Sequence, residues 1–555
     1  MKILAVLLLA AFVLLNAPCS AQRSHPSLAT ESGGVLLPEQ AAFDVIFYDI
    51  EMGVMPSTQR IGGSVVVHVR IVNSTETLLL DLDDRLGVRR VEVQRDDGSW
   101  LPASFDRPPA QIRVNLMPAA RAGEKIAARV TYGGEPKVAP NPPWIGGFTW
   151  ARTPDGLPWV ATSVQMDGAD LWIPVKDHPS DKPDSVRLAI TVPEGLVVAS
   201  NGRLIDVSSQ NDSTRFEWFT RLPISNYNIA LNIAPYSLIE EEMESIDGTV
   251  FPFKFWVLPE REEDGRERLT QFRREMAWYE DLLGPYPFRA EKYGVAHTPH
   301  LGMEHQTIIA YGSTFSDNLW GYDWLHHHEL GHEWWANLVT APDWSDFWIH
   351  EGFCTYMQAL YVEHLHGGSA YRQEMNTYRH NINNLQPVAP RQPQSTTDMY
   401  FVEEGGMSDG DIYYKGAWIL HTLRFLIGDD AFFESLRRFA YPDDQARRRT
   451  DGSQVRFVTT EDYRDLVEDI SGQQLDWFFD VYLRQPELPE LDAERNGGQL
   501  KLRWLTPDRL PFSMPVEIEV DGERRRVEMA DGRAVIEVPE DVSVEVDPES
   551  WLLMR

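Results

Sequence analysis

Cysteine is nearly absent: the 555-residue chain has two, Cys19 and Cys354. That excludes a disulfide-built scaffold and any metal site made of clustered thiolates. Positive charge is scarce too, with 51 Lys and Arg against 84 Asp and Glu, a net charge of −33, and nine lysines in all. So acidic a surface repels phosphate backbones, and no nucleic-acid partner is expected. Past the first fifteen residues there is no long apolar run, and no internal repeat or low-complexity tract is visible. What is present is globular material, 43% hydrophobic and 11% aromatic, unlike a disordered or fibrous chain. At about 100–200 residues per domain, the length calls for about three cores.

The amino terminus has its own pattern. Met1-Lys2 precedes a 13-residue apolar run, Ile3 to Leu15, and then Asn16-Ala17-Pro18-Cys19-Ser20-Ala21. A short basic start, an apolar stretch and small residues read as a signal peptide over residues 1–21, cleaved after Ala21. The run falls short of the about 18–20 apolar residues a membrane span requires. The expectation is an exported protein, periplasmic or extracellular, with no stable membrane span after residues 1–21 are removed. Cys354 then remains without a disulfide partner, and stability must come from the cores.

From Phe43 to Ile239 the chain reads as β-structure. Val65, Val67, Val69 and Ile71 alternate with Val66, His68, Arg70 and Val72, and Val186, Leu188, Ile190 and Val192 repeat the period of two. The acidic run Glu240–Glu244 marks a seam. Beyond it Leu269, Phe272, Met276, Tyr279 and Leu283 follow helical spacing, stopped by Gly284-Pro285, and helices dominate to Leu483. Gln485-Pro486-Glu487-Leu488-Pro489 reads as a linker, and strands return with hairpin turns at Asp521-Gly522 and Asp531-Gly532. The predicted class is multidomain α+β. A β domain spans 22–240, a mostly helical domain 241–485 and a small β domain 486–555.

The informative stretch is His328-Glu329-Leu330-Gly331-His332. Positions four apart share a helix face, so both imidazoles can reach one ion. Glu329 beside them is placed to take a proton from a metal-bound water. A solvated helix face with two histidines would look the same, so a third ligand decides. Glu351 follows 19 residues after His332, and Phe353, Tyr356, Met357, Leu360 and Tyr361 then recur at helical spacing. That sets Glu351 at the start of a second helix packed on the first. Two histidines and one carboxylate, with a fourth position left for water, form the donor set of a catalytic zinc. The reading is one Zn2+ per chain on His328, His332 and Glu351. His326 and His327 are rotated about 200° and 100° around the helix from His328, and with His350 they are read as non-ligands.

In order and spacing, His328, Glu329, His332 and Glu351 resemble the His-Glu-x-x-His, 18 residues, Glu pattern of the aminopeptidase N-like zinc aminopeptidases of the gluzincin group. Gly302-Met303-Glu304-His305 resembles that family's Gly-Ala-Met-Glu-Asn motif, and Tyr413-Tyr414-Lys415-Gly416 its Tyr-x-Lys-Gly segment. Gln165 in Ser163-Val164-Gln165 is similar to a glutamine of its amino-terminus pocket, and Pro285-Tyr286-Pro287-Phe288 also fits. The resemblance covers nearly the whole mature chain. It implies a β-saddle followed by a thermolysin-like catalytic domain, with a small β-sandwich at the end. It also implies hydrolysis of the first peptide bond of peptides with a free amino terminus. Glu329 would then be the general base and Tyr413, with Tyr414 as its rival, the oxyanion donor. Gln165, Gly302, Met303 and Glu304 would bind the substrate's amino end.

Two departures stand out. His305 replaces the family's Asn, which changes the hydrogen bonding expected at the first peptide unit. Larger relatives continue into a long helical cap, whereas about 65 residues of β-structure follow the helices here, so this is read as a short form. Trp320, Trp324, Trp334, Trp335, Trp344 and Trp348 crowd the metal motif and are read as core, and Cys354 as a packed, inert thiol. The polar stretch Leu385 to Asp411, with Glu403-Glu404, is long for a compact domain and is read as bordering the site. Two rivals remain at this stage. A zinc endopeptidase would share the zinc motif without needing Glu304 and Gln165. A catalytically inactive peptide-binding module would show damage at Glu329, a ligand or Tyr413, and none is seen. The sequence sets no oligomeric state.

Overall fold

A computed structural model describes residues 32–94, 98–400 and 410–555. Residues 1–21, expected to be a signal peptide, and Glu403-Glu404 lie outside the described residues. The alternation noted above becomes strand Arg60–Ile71, which buries Val65, Val67, Val69 and Ile71 and turns Arg70 outward. It pairs antiparallel with Phe43–Met55, setting Val65 opposite Ile50 and Val67 opposite Tyr48. Ser185–Pro193 joins Phe43–Met55 on its other side, in parallel, within an eight-stranded sheet. A three-stranded sheet on Thr75–Asp81 and a four-stranded one on Pro158–Ser163 complete the β-rich part. Strand Pro158–Ser163 ends two residues before Gln165, which carries that side chain to the second unit.

The acidic run Glu240–Glu244 lies in strand Ser237–Glu244, which pairs antiparallel with Val250–Val257. The division expected at residue 240 therefore falls inside a strand of the second unit's sheet. Ile239 and Met243 are buried there while the glutamates are exposed, so the charge protects a sheet edge rather than solvating a linker. The five-stranded sheet runs in the order Ser237–Glu244, Val250–Val257, Tyr293–His297, Ile309–Tyr311, Gly302–Met303. Gly302–Met303 is its far edge. Helix Glu262–Leu283 buries Leu269, Phe272, Met276, Tyr279 and Leu283, and Gly284 ends it at φ 119°.

Helices Trp324–Gly331, Trp348–His366, Gly368–Arg379, Tyr414–Ile427, Asp429–Ala440, Thr460–Ser471 and Asp476–Tyr482 follow. Trp334, Trp335, Trp344 and Trp348 are core residues, whereas Trp324 is 42% exposed. Lys415 Nζ donates to Pro486 O at 2.6 Å, which pins the expected linker to the helical unit. Two three-stranded sheets then stack as a sandwich. One hairpin turns at Asp521-Gly522, both with positive φ, as a two-residue turn demands. The sandwich rests on helix Tyr414–Ile427, where Thr422 Oγ1 donates to Trp551 O at 3.0 Å and the Arg526 guanidinium to Phe425 O at 2.9 Å. The α+β class and this order of parts are as the sequence predicts. Among the described residues no helix is long and apolar enough to cross a membrane.

Candidate metal centre

The first ligand helix, Trp324–Gly331, starts at Asp323, whose carboxylate accepts from the His326 backbone N–H at 3.2 Å. It ends at His332, the C-cap residue. At Gly331 a Cβ would lie 2.5 Å from the Tyr279 hydroxyl and 3.1 Å from Cys354 Sγ. The helix therefore seats directly on its neighbours, and His328 and His332 face the second helix, Trp348–His366. Glu351 sits in that helix's first turn.

The three donors converge. His328 Nε2 and His332 Nε2 are 3.2 Å apart, and Glu351 Oε2 is 3.2 Å from the first and 3.5 Å from the second. Donors held at about 2.0–2.1 Å from one tetrahedral zinc are separated by about 3.3 Å. The residues present therefore fit that ion. The other ring nitrogens are occupied: His328 Nδ1 donates to Gln358 Oε1 at 3.2 Å and His332 Nδ1 to Trp335 O at 3.0 Å. That orients both imidazoles with Nε2 turned toward the shared position, where binding a metal would require each Nε2 to give up any proton it carries. Burial pushes the Glu351 carboxyl up, but the His332 charge and hydrogen bonds from both histidines prevail and hold it well below the usual range.

Glu329 is buried, and among the described residues its Oε2 has no hydrogen-bond partner. Burial, with like charge from Glu304 and Glu351, raises its carboxyl well above the usual range. A bound cation acts in the opposite sense. Ligand atoms of Glu304, Glu329 and His332 lie within 4.8 Å of one another, so a second carboxylate closes one end of the site. Glu304 Oε1 accepts from Gln165 Nε2 at 2.6 Å and from the Tyr227 hydroxyl at 2.9 Å. Its backbone carbonyl accepts from Asn337 Nδ2 at 3.0 Å. Gly302 presses its backbone on Glu329, since a Cβ there would lie 2.1 Å from Glu329 Oε1. Met303 pairs with Ala310 in the edge strand and is buried.

Tyr413 precedes helix Tyr414–Ile427. That helix crosses the Glu351 helix at two glycines: a Cβ on Gly416 would lie 2.9 Å from Gly352 Cα. Backbone meets backbone, and the Tyr413 ring comes to 6.4 Å from the His328 ring. Tyr414 instead packs its ring against Tyr378, centroids 5.6 Å apart. His326 pairs with Glu275 and with the Tyr293 hydroxyl at 2.6 Å, and His327 stacks on Tyr361 at 4.4 Å. His350 Nε2 accepts from the Ala341 backbone at 2.9 Å. His305 is fully buried, and burial pushes its ring down to about 3, so it brings no charge to the site. Cys354 Sγ lies 3.2 Å from His332 Nδ1, and burial pushes its thiol up to about 12.

Three residues of the site went unread in the sequence. Gln358 stands seven positions after Glu351, two turns along the same helix face, and helical arithmetic would have found it. Tyr227 lies inside the single 3-10 turn Asn226–Asn228 of the β-rich part, and Tyr400, whose hydroxyl is 2.9 Å from that of Tyr413, ends the short helix Thr396–Tyr400. Neither position carries a local signal.

Histidines one turn apart, answered by a glutamate from the next helix beside a mixed sheet, form the donor set of a catalytic zinc site. Residues 304–482 match the peptidase family M1 domain. Curated relatives include a leucyl aminopeptidase of Saccharolobus solfataricus, 23% identical over 65% of this chain and 46% of that one. A glutamyl aminopeptidase of Rattus norvegicus is 21% identical over 85% of this chain and 50% of its own length. This chain thus spans about half the length of these relatives. Among solved structures, an M1 zinc metallopeptidase of Deinococcus radiodurans, in a variant bound to a Tyr-Ser-Ala substrate, has TM-score 0.64 at 22% identity. It covers 80% of this chain and 95% of that one.

Proposed function

We propose that the protein is a zinc aminopeptidase that hydrolyses the first peptide bond of peptides with a free amino terminus. The observation that carries this reading is the buried Glu304 carboxylate, fixed by Gln165 and Tyr227 and set against Glu329 and His332. A carboxylate so held pairs with an α-ammonium through charge-assisted hydrogen bonds. The substrate chain then begins one residue from the scissile bond.

His328, His332 and Glu351 hold the zinc, which when bound supplies a Lewis acid to the scissile carbonyl and acidifies a water. Glu329 accepts that water's proton and delivers it to the leaving amine. The Tyr413 hydroxyl, kept protonated because burial raises it well above the usual range, donates to the oxyanion as it forms, a bond worth most in the transition state. Among the described residues, edge strand Gly302–Met303 pairs on one side alone, and an extended peptide adding on the other as another strand would run past the site. The residues carrying these roles are buried, except that His328 and Tyr413 are partly so, and burial strengthens each charge interaction. The amino-terminal apolar run supports export to the periplasm or the medium.

A ladder of peptides of rising length, free and N-acetylated, tests the assignment, with products read by mass spectrometry. Stepwise loss of amino-terminal residues from the free peptides and little cleavage of the acetylated ones is expected. Efficient internal cuts in acetylated peptides would establish an endopeptidase instead.

A further inference from the structure

The long polar stretch before Tyr413 brings a second phenol to the site. Tyr400 closes the helix Thr396–Tyr400 and is buried. Its ring packs edge-on against Phe347, centroids 6.1 Å apart, and Phe347 immediately precedes the helix that carries Glu351. Among the described residues its hydroxyl has one hydrogen-bond partner, the Tyr413 hydroxyl at 2.9 Å. The charges of Glu351, Glu304 and Glu329 all act on it, so the pair of phenols stands in the field of the reaction centre.

A phenol has one hydrogen to give and two lone pairs to accept with. Between two such groups the bond can run either way, and the direction decides what Tyr413 can do. With Tyr413 as donor to Tyr400, its only hydrogen is spent before the oxyanion exists. With Tyr400 as donor, the Tyr413 oxygen is satisfied as an acceptor and its hydrogen is free to swing into the cavity. Formation of an oxyanion favours the second direction, because negative charge on the substrate draws the Tyr413 hydrogen and enriches the Tyr413 oxygen. The bond arriving from Tyr400 strengthens at that moment, as hydrogen bonds in a chain polarise one another.

We propose that Tyr400 is a positioning residue for the peptidase reaction, donating its phenolic hydrogen to Tyr413 and so aiming the Tyr413 hydrogen at the forming oxyanion. This rests on the reading of Tyr413 given above. Tyr400 touches neither substrate nor metal in this scheme. It acts through Tyr413, and it gives the polar stretch on which it sits a direct part in the chemistry.

The test is a double-mutant cycle on the zinc-loaded full protein with an aminoacyl fluorogenic substrate. Tyr400→Phe removes one oxygen and keeps the buried ring. It should lower kcat about tenfold, the size of one ordinary hydrogen bond, with KM, zinc content and melting temperature unchanged. Tyr413→Phe should lower kcat by about 10²-fold or more. The double variant should match Tyr413→Phe alone, because a residue that acts only through Tyr413 has nothing left to act on. A further tenfold loss in the double variant would overturn the proposal, since Tyr400 would then touch the oxyanion itself or merely support the fold. Wild-type kcat in Tyr400→Phe, with Tyr413→Phe impaired, would overturn the proposal and leave the catalytic reading standing. Wild-type kcat in Tyr413→Phe would remove both.

Discussion

Gly302→Ala adds one methyl group at the most crowded point of the site. Gly302 takes an ordinary φ, so alanine costs nothing in backbone strain, and the effect is steric alone. The new Cβ would lie 2.1 Å from Glu329 Oε1, 2.8 Å from Glu329 Cδ and 2.6 Å from Leu325 Cδ1. Relief to ordinary contact near about 3.4 Å needs a shift of about 1 Å. Either the Glu329 carboxyl leaves its rotamer, at about 0.5–1.5 kcal/mol, or the edge strand backs away from the helix. Both outcomes move the proposed base relative to the proposed amine anchor at Glu304. A misplacement of about 1 Å at a reacting group costs about 10²-fold in rate, or about 2.7 kcal/mol of activation free energy. The loss should fall on kcat, because the Glu304, Gln165 and Tyr227 bonds are not in the methyl's path, and zinc content should hold. Steady-state kinetics with a fluorogenic aminoacyl substrate, elemental analysis and a thermal melt on the same preparation give the three readings. A kcat within twofold of wild type would refute the reasoning about Glu329. A loss that tracked departing zinc would mean the helix, not the base, had moved.

Glu329→Gln should keep its zinc and lose at least about 10²-fold in kcat, the usual worth of a general base; unchanged turnover would mean another group activates the water. Chelation should lower the melting temperature of the helical unit by about 5–10 °C, since zinc at a hundredfold excess over its Kd adds about 2.7 kcal/mol, and an unchanged melt would show that the ligand helices are held without it. Burial pushes Asp81 up to about 8, although Gln40, Gln111 and the Asp177 backbone donate to it. Its unfolded-state pKa is near the ordinary 3.8, so the folded protein keeps a proton that the unfolded chain gives up. The stability this adds is whole below about pH 4 and is lost as pH rises toward 8. Asp81→Asn should therefore melt higher than wild type at pH 9 and close to it at pH 5, whereas melting curves that stay parallel across that range would place the Asp81 proton elsewhere.

The convergence of His328, His332 and Glu351 was legible because helical spacing is a local rule. His328 and His332 lie one turn apart, and the apolar pattern after Phe353 announces the helix that opens beside Glu351. The alternation of Val65, Val67 and Val69 did the same for the central sheet. Other features depend on contacts between distant segments. Tyr227 reaches Glu304 across 77 positions, and no periodicity reports a partner that remote. The Glu240–Glu244 run resembled a linker because exposed charge on a sheet edge and charge in a solvated loop have the same composition. Trp324 sits among buried tryptophans in the sequence yet stays exposed, since it opens its helix on the outer side. Gly302 came forward through a motif, but the reason for a glycine there, the carboxyl of Glu329 against its Cα, is visible only in three dimensions.

The crossing of Gly352 and Gly416 makes the helix Tyr414–Ile427 a lever. Two backbones in contact, with no side chain between them, act as a fulcrum that no rotamer change can soften. On the short arm, Tyr413 lies three residues from Gly416, about 4.5 Å along the axis. On the long arm, Phe425, where Arg526 of the carboxy-terminal sandwich takes hold, lies nine residues away, about 13.5 Å. Rocking of the sandwich against the helical unit thus reaches the phenol reversed in direction and reduced about threefold. A displacement of about 1 Å at the far end moves the tyrosine by about a third of that, well within the play of a hydrogen bond. The arrangement lets the sandwich move while the tyrosine keeps its aim.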